Sequence, residues 1–569
     1  MSRRAALAAA LVTLAAPAAP AALLEAQGVC DGRPIREIRV DVSNIFSTDD
    51  SVIPGFVRGL GNALHWRTHA DLVELDLLFH VGDPCDLRRL RETERLLRAR
   101  PYIRSAVVVP LATADSGVEV FVETRDEASL EGHLQVGAGG DSPFKHVSLG
   151  EENLLGRGLR LQAQYTDVGR RASYYGDYEQ THLMGQRVQT ELEAGKSEVG
   201  PVMEETVRRD FESDFDRIAW RESVRYRKEP FPLVSTELGT VLEPQVEIGQ
   251  DAGVALRLGE PGQLRIVGLA LSNEWLRVEG APLAPTPDQD SAAAALLGGR
   301  FDERRRVRAH LLLGARRIVF HPHRGLDAVN AIEDAQEGMQ GGLVLGKSLF
   351  GGAGLQHDWF AAMELSTGTD IGGALLVFSR AKVEGRYLES AGRWDGILAD
   401  GEVLVYAIGP RQTTVVSATA AGGFDTRTPF QLLLAGPDGL RGYGSSAVPV
   451  GRRIVVRAER RYLLGTAFGF ADLGAAVFAE TGRGWAGDAA FGENSGQLGT
   501  IGAGLRVAAP RGSRRTYRLD VAMPLTRGLG PELRLAVGQQ FGIFHGEPQD
   551  VVRSRERISS VTVFDFPRF

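Results

Sequence analysis

Cysteine is scarce in this chain: 569 residues contain 2, Cys30 and Cys85. Two thiols cannot supply the cysteine set of a zinc centre or of a small disulfide scaffold. In an oxidising compartment they can form one disulfide that closes the N-terminal segment, and an unpaired state stands equally open at this level. Long apolar runs are missing too. Beyond the N-terminus no stretch of 18 apolar residues occurs, which excludes a transmembrane helix. There is no clustered basic excess. The formal net charge is -7 with 24% charged residues, so no nucleic-acid partner is expected. Glycine is abundant instead, with 69 residues and no fixed period. That excludes collagen and suits tight turns and crowded strands.

Catalytic chemistry is equally thin. No nucleophile elbow is present. Gly341-Gly342-Leu343-Val344-Leu345-Gly346-Lys347-Ser348 has the spacing of a phosphate loop. The glycine-rich Leu349-Phe350-Gly351-Gly352-Ala353-Gly354 that follows is a poor helix, so the motif is read as coincidence. His65 and His69 have helical i, i+4 spacing without a Glu or Cys to complete a metal site, and His321 and His323 flank Pro322 in an expected loop. No enzyme activity, metal or cofactor is expected.

The N-terminus reads as a secretory signal over residues 1–26: Arg3 and Arg4, the uncharged apolar stretch Ala5 to Ala16, then Pro17, Pro20 and a cleavage site near Ala26. An exported chain without transmembrane helices is either soluble in the periplasm or a barrel in the outer membrane.

Character changes near residue 128. The segment 34–126 reads as a small α/β domain in the order β-α-α-β-β: strand Ile35 to Val42, helix Pro54 to Leu64, a helix starting at Asp83-Pro84, and strands Ile103 to Val109 and Val118 to Thr124. From 130 to 544 strands alternate strongly. Leu159, Leu161, Ala163 and Tyr165 oppose Arg160, Gln162, Gln164 and Thr166. Ala381, Val383 and Tyr387 oppose Arg380, Lys382, Glu384 and Arg386. Tyr517, Leu519, Val521, Met523 and Leu525 oppose Arg518, Asp520, Ala522 and Pro524. A soluble sandwich gives the same alternation with the opposite sense. Length favours an antiparallel transmembrane β-barrel: at roughly 25 residues per strand the region holds about 16 strands. Gly280 to Ser291, His321 to Gln340 and Thr481 to Gly499 are the expected outer loops, and residues 545–569 form a C-terminal tail.

Four places resemble the outer-membrane protein assembly superfamily of the BamA and TamA kind, which joins POTRA domains to a bacterial surface antigen barrel. Leu77-Leu78-Phe79-His80-Val81-Gly82-Asp83, Glu94-Arg95-Leu96-Leu97-Arg98 and Tyr102-Ile103 look like one POTRA domain. Gly150 to Gly158 resembles the segment joining that domain to the barrel. Gly439-Leu440-Arg441-Gly442-Tyr443 resembles the family's RGY motif. The resemblance implies a loop folded into the lumen, with Gly439, Arg441, Gly442 and Tyr443 as its anchor. It implies Glu459 and Asp472 as wall partners, the latter in Phe470-Ala471-Asp472-Leu473-Gly474, which is similar to an F-x-D-x-G strand motif. Glu532 to Phe544, carrying Leu533, Leu535, Val537, Gly538 and Phe541, resembles the closing strand. The family commonly ends near that strand and carries more POTRA domains, whereas this chain continues to Phe569. The implied function is non-enzymatic insertion or translocation of other proteins. The implied partners are outer-membrane lipid, unfolded outer-membrane or secreted clients, and periplasmic accessory proteins or chaperones. A passive porin or receptor, or a surface antigen, is the alternative.

Overall fold

The computed structural model describes residues 29–46, 53–136, 144–167, 170–349, 355–435, 439–444, 447–537 and 548–558. The signal segment, Gly538, Phe541, Phe544 and Phe569 lie outside them.

The first domain runs β1 (Ile35–Ser43), α1 (Gly55–Ala63), α2 (Ala70–Leu75), α3 (Leu87–Ala99), β2 (Ile103–Ala112) and β3 (Val118–Asp126). The sheet order is β1-β3-β2, with β1 parallel and β2 antiparallel to β3. α2 is a short helix that the sequence pattern did not signal. α3 starts later than expected. Asp86, not Asp83, caps it by accepting the Arg88 N–H at 2.9 Å. Pro84 is held instead in a bridge with Pro34, and Cys85 is bonded to Cys30. Leu90 and Leu97 from the helix stripe meet Val118, Val120 and Val122 from the alternating strand in one core.

Twenty further strands, from β4 (Leu130–Val136) to Glu532–Val537, follow one another round a closed barrel. That exceeds the expected 16 because many connections are very short. Pro261-Gly262 alone joins Gly239–Glu260 to Gln263–Val278, and Pro410-Arg411 joins Arg393–Gly409 to Gln412–Phe424. Side chains alternate as the pleat requires. Tyr517, Leu519, Val521 and Met523 are exposed while Arg518, Asp520, Ala522 and Pro524 are buried. Val383 is exposed between buried Lys382 and Glu384. The barrel is apolar outside and charged inside. On the last strand Leu533 and Leu535 point outward and are exposed.

Two expected outer loops need correction. His321 to Gln340 is mostly strand, with its turn at 325–331 on the side of the first domain. In Thr481 to Gly499 only 486–495 lies between strands. Gly280 to Ser291 does connect strands and leads into α4 (Asp290–Leu297).

The lumen is filled rather than simply wet. The turn at 325–331 tucks in: Glu333 accepts the N–H groups of Leu326, Asp327 and Ala328, and Leu326 packs on Phe378 and Tyr406. The tail forms α5 (Gln549–Ile558) inside the barrel. There Val551 packs with Leu434, Leu440 and Tyr443. Asp550 accepts from the Leu433 N–H at 2.9 Å and from Arg453 Nη1 at 2.5 Å, and Arg555 pairs with Glu384 at 2.7 Å and with Asp400.

The first domain docks on one mouth of the barrel. Arg98 meets Asp334 at 2.7 Å, and Arg514 Nη2 donates to the Arg100 carbonyl at 2.7 Å. Asn153, in the joining segment, donates to the Trp66 carbonyl and to Thr68. Buried His65 bonds Asp126 at 2.8 Å and Ser129 at 2.9 Å, which gives it a junction role. Asp76 stands at the centre, bound to Arg100 and, at 3.0 Å, to His182 of the barrel, while Arg100 also reaches Glu212 at 3.0 Å. Burial pushes the Asp76 carboxyl up, but Arg100 and His182 outweigh it and hold the group well below the usual carboxylate range. A depressed folded value means that this stabilisation is complete at neutral pH. It is lost only as pH falls below about 4 and on through the folded value. Asp76→Asn is expected to weaken docking by about 3 kcal/mol at pH 7. Spin-label distances between domain and barrel should broaden in the variant, and should stay sharp in the parent from pH 8 down to about pH 5.

Candidate functional site

The loop between strands Gln412–Phe424 and Arg452–Ala467 folds back into the barrel. Its stem is a short ladder, with Leu432 opposite Val450. Gln431 clips it to the barrel rim by donating to the Val234 and Ala490 carbonyls. The tip carries Gly439 to Tyr443, the anchor expected from the sequence.

Arg441 is fully enclosed, at 2% exposure. Its Nε donates to Glu480 Oε1 at 2.7 Å, and its backbone N–H donates to Glu480 Oε2 at 2.9 Å. Nη1 donates to Asp520 at 3.1 Å. Nη2 lies 3.1 Å from Glu459 Oε2, at ion-pair distance though not aligned as a hydrogen bond. The guanidinium carbon stands 3.4 Å from the Phe478 ring centroid, a cation–π contact worth about 2 kcal/mol when desolvated. Arg461 and Arg506 balance the acid: Arg461 meets Glu459 at 2.9 Å, and Arg506 meets Asp520 at 2.5 Å. Tyr443 donates its hydroxyl to the Gly499 carbonyl at 2.7 Å.

Two glycines are required here. Gly442 has φ +84, and a Cβ on Gly439 would sit 2.3 Å from the Leu434 carbonyl oxygen.

No family model and no curated protein matches this chain. Solved structures do. BamA from Haemophilus ducreyi lacking POTRA domains 1-3 is 11% identical, covering 89% of this chain and 83% of its own at a TM-score of 0.32. CdiB from Escherichia coli covers 89% of this chain and 75% of its own, at 11% identity and a TM-score of 0.38. CdiB from Acinetobacter baumannii covers 89% and 73%, at 11% identity and 0.35.

Glu459 is the wall partner expected of it. Asp472 is not. It lies at the domain-side end of its strand, accepting the Gly512 N–H at 2.8 Å, with Arg511 at 3.7 Å. Glu480 takes the place assigned to it. The same spacing recurs on that strand as Phe478-Ala479-Glu480-Thr481-Gly482, with Glu in place of Asp. Asp520 was visible only as one polar residue of an alternating strand.

Between the latch and the docked domain a cavity of about 260 Å³ is lined by Asp327, Arg461, Arg506 and Arg518 among others. Near this mouth His323, Glu337 and Asp370 bring ligand atoms within 4.8 Å of one another, a donor set that can hold a metal ion. Gly341 to Ser348 lies within strand Ile332–Ser348, and among the described residues the next element is the strand Asp358–Ile371 and not a helix whose N-terminus could face a phosphate.

Arg441→Ala would strand three buried carboxylates and release the loop tip at a cost of about 3–5 kcal/mol. Hydrogen exchange at Leu440 to Tyr443 should rise sharply. Arg441→Lys should restore little, since one ammonium cannot span carboxylates on three strands. Asp472→Asn should leave exchange at the tip unchanged.

Proposed function

We propose that this chain is a bacterial outer-membrane β-barrel protein of the assembly superfamily, with its first domain in the periplasm, and that it inserts client proteins into the membrane without enzymatic chemistry. The observation that carries this reading is the buried Arg441 latch, which holds a long loop inside a barrel whose outer face is apolar. Leu269, Leu271, Leu256 and Val254 are among the many large apolar side chains exposed on that face. So wide an apolar surface suits lipid and not water. The POTRA-like domain docked at one mouth gives the partner-facing end.

A passive porin is the rival reading. The filled lumen speaks against it, because the loop, α5 and the tucked turn are each held by buried charge. The remaining route for a client is the wall. Strand edges bind other strands by backbone hydrogen bonds, and the first and last strands meet at a seam. The clients would be unfolded barrel proteins, brought by periplasmic chaperones or accessory proteins.

Depletion of the protein should lower the amounts of other outer-membrane barrel proteins. An unchanged outer-membrane proteome would sink the insertase reading in favour of a porin, receptor or surface antigen. Arg441→Ala should still give a heat-modifiable barrel but assemble clients several-fold more slowly. Ionic conductance tests the filled lumen separately. Asp550→Ala combined with Arg555→Ala should raise it in planar bilayers well above that of the parent, and equal conductance would place the obstruction elsewhere than α5.

A further inference from the structure

At the end of the lumen away from the first domain, four arginines crowd one patch of wall. Arg304, Arg306 and Arg308 alternate along strand Arg304–Arg324, and Arg386 lies on Leu375–Leu388. Each is at most 1% exposed. Three carboxylates answer them. Asp358 takes Arg308 through both oxygens, at 2.9 and 2.5 Å, and meets Arg306 Nε at 3.0 Å. Asp395 accepts from Arg304 at 3.0 Å. Glu274 is shared at longer range, 3.6 Å from Arg308 and 4.0 Å from Arg386. Gln356 accepts from Arg306 at 2.7 Å.

Arg386 is left over. Its Nε, Nη1 and Nη2 are buried and make no hydrogen bond, and Nη1 of Arg304, Arg306 and Arg308 is in the same state. Three nearby carboxylate oxygens are likewise unused: Glu274 Oε2, Asp395 Oδ1 and Oε1 of Glu384, whose other oxygen accepts from Arg555 at 2.7 Å. Six free donor nitrogens therefore face three free acceptor oxygens, and Arg386 has no hydrogen-bonded carboxylate of its own, since Glu384 is already paired with Arg555. A guanidinium does not lose its proton, so the surplus charge cannot be relieved by titration. An uncompensated buried charge is among the costliest features a fold can carry.

We propose that this patch is a binding site for one small inorganic anion of single charge, held by Arg386 with the free Nη1 atoms of its neighbours. Such an ion supplies both the missing charge and the missing acceptors, whereas water supplies acceptors alone. Full enclosure of all four side chains selects a halide or compact oxyanion over an organic carboxylate. The site is independent of the latch and of the proposed insertase role.

The test uses the full-length protein in detergent, with sodium chloride titrated against sodium gluconate at constant ionic strength and the thermal midpoint as readout. A ligand that binds the folded state raises the midpoint saturably. The parent should show that rise. Arg386→Met should lose it and, in gluconate alone, should melt above the parent because the unpaired charge is gone. Arg305→Met, on the exposed face of the same strand, should respond as the parent does. A second arm with sodium phosphate distinguishes a halide site from one that also takes oxyanions. Should Arg386→Met fail to fold, Arg386→Lys keeps the charge but loses the fork, and should shift the chloride midpoint to higher concentration. Bromide-soaked crystals should show anomalous scattering beside Arg386. An equal rise in the parent and Arg386→Met, no rise in the parent, or no bromide at Arg386 would each overturn the site.

Discussion

A guanidinium that is buried must be matched where it lies, because it cannot shed its charge. Arg441 imposes that condition on everything near it. Its three carboxylates come from three strands: Glu459 from Arg452–Ala467, Glu480 from Ala471–Trp485 and Asp520 from Tyr517–Pro524. One side chain thus joins the loop to a wide arc of wall. The network goes on in both directions. Arg461 carries it from Glu459 to Asp327 in the turn beside the docked domain, at 3.1 Å. On the other side, Asp550 of α5 holds the Leu433 N–H of the same loop and the guanidinium of Arg453. Loop, turn and helix are therefore mechanically linked, and none can leave the lumen without disturbing charges that hold the next.

The outer face obeys a simpler rule. Strand pleating puts every second side chain outward, and those positions carry Leu, Val, Ile and Met without regard to what the lumen holds. The alternation was therefore plain in the sequence, and so was its sense once the inward residues of one strand were seen to be Lys382, Glu384 and Arg386. The number of strands was not. A two-residue connection such as Pro410-Arg411 and a loop of 27 residues such as 425–451 both separate one strand from the next. Only the hydrogen-bond ladder shows which spacing dominates.

The latch was half legible for a related reason. Arg441 and its glycines form a local motif, and Glu459 stands close behind it in sequence. Choosing between Asp472 and Glu480 needed something that a period of two cannot supply. Both face the lumen, on the same strand and in the same F-x-acid-x-G setting, yet 8 residues separate them, which is about 27 Å along an extended chain. Parity gives the face and says nothing about height. The height is set by how deep the loop reaches, and so by the tight passages at Gly439 and Gly442. Residues 545–569 were read as a tail because they lie beyond the expected closing strand, and a ten-residue helix with few apolar positions gives only a weak local signal. Its partners, Arg453, Glu384 and Asp400, are supplied by the barrel from far away in sequence.

If the chain inserts clients as proposed, the choice between passing a client through the lumen and passing it into the wall turns on these same charges. Opening the centre means separating the latch, α5 and the tucked turn from their partners, and each buried pair broken by loss of one member costs about 3–5 kcal/mol. These losses add up because the three segments are linked. Parting two strands at their edge exchanges backbone hydrogen bonds for those of an incoming strand, at a net of about 1 kcal/mol or less per bond. An entering client strand can restore each bond as it is lost. A central route has no such compensation, since an unfolded client brings no ordered set of carboxylates and guanidinium groups to replace the ones displaced. Under that proposal the barrel wall is the low-barrier path. In the proposed role the filled lumen would brace the wall from strand Ile332–Ser348 round to Tyr517–Pro524, next to the last strand, and strain from an incoming strand would be concentrated at the seam beyond it.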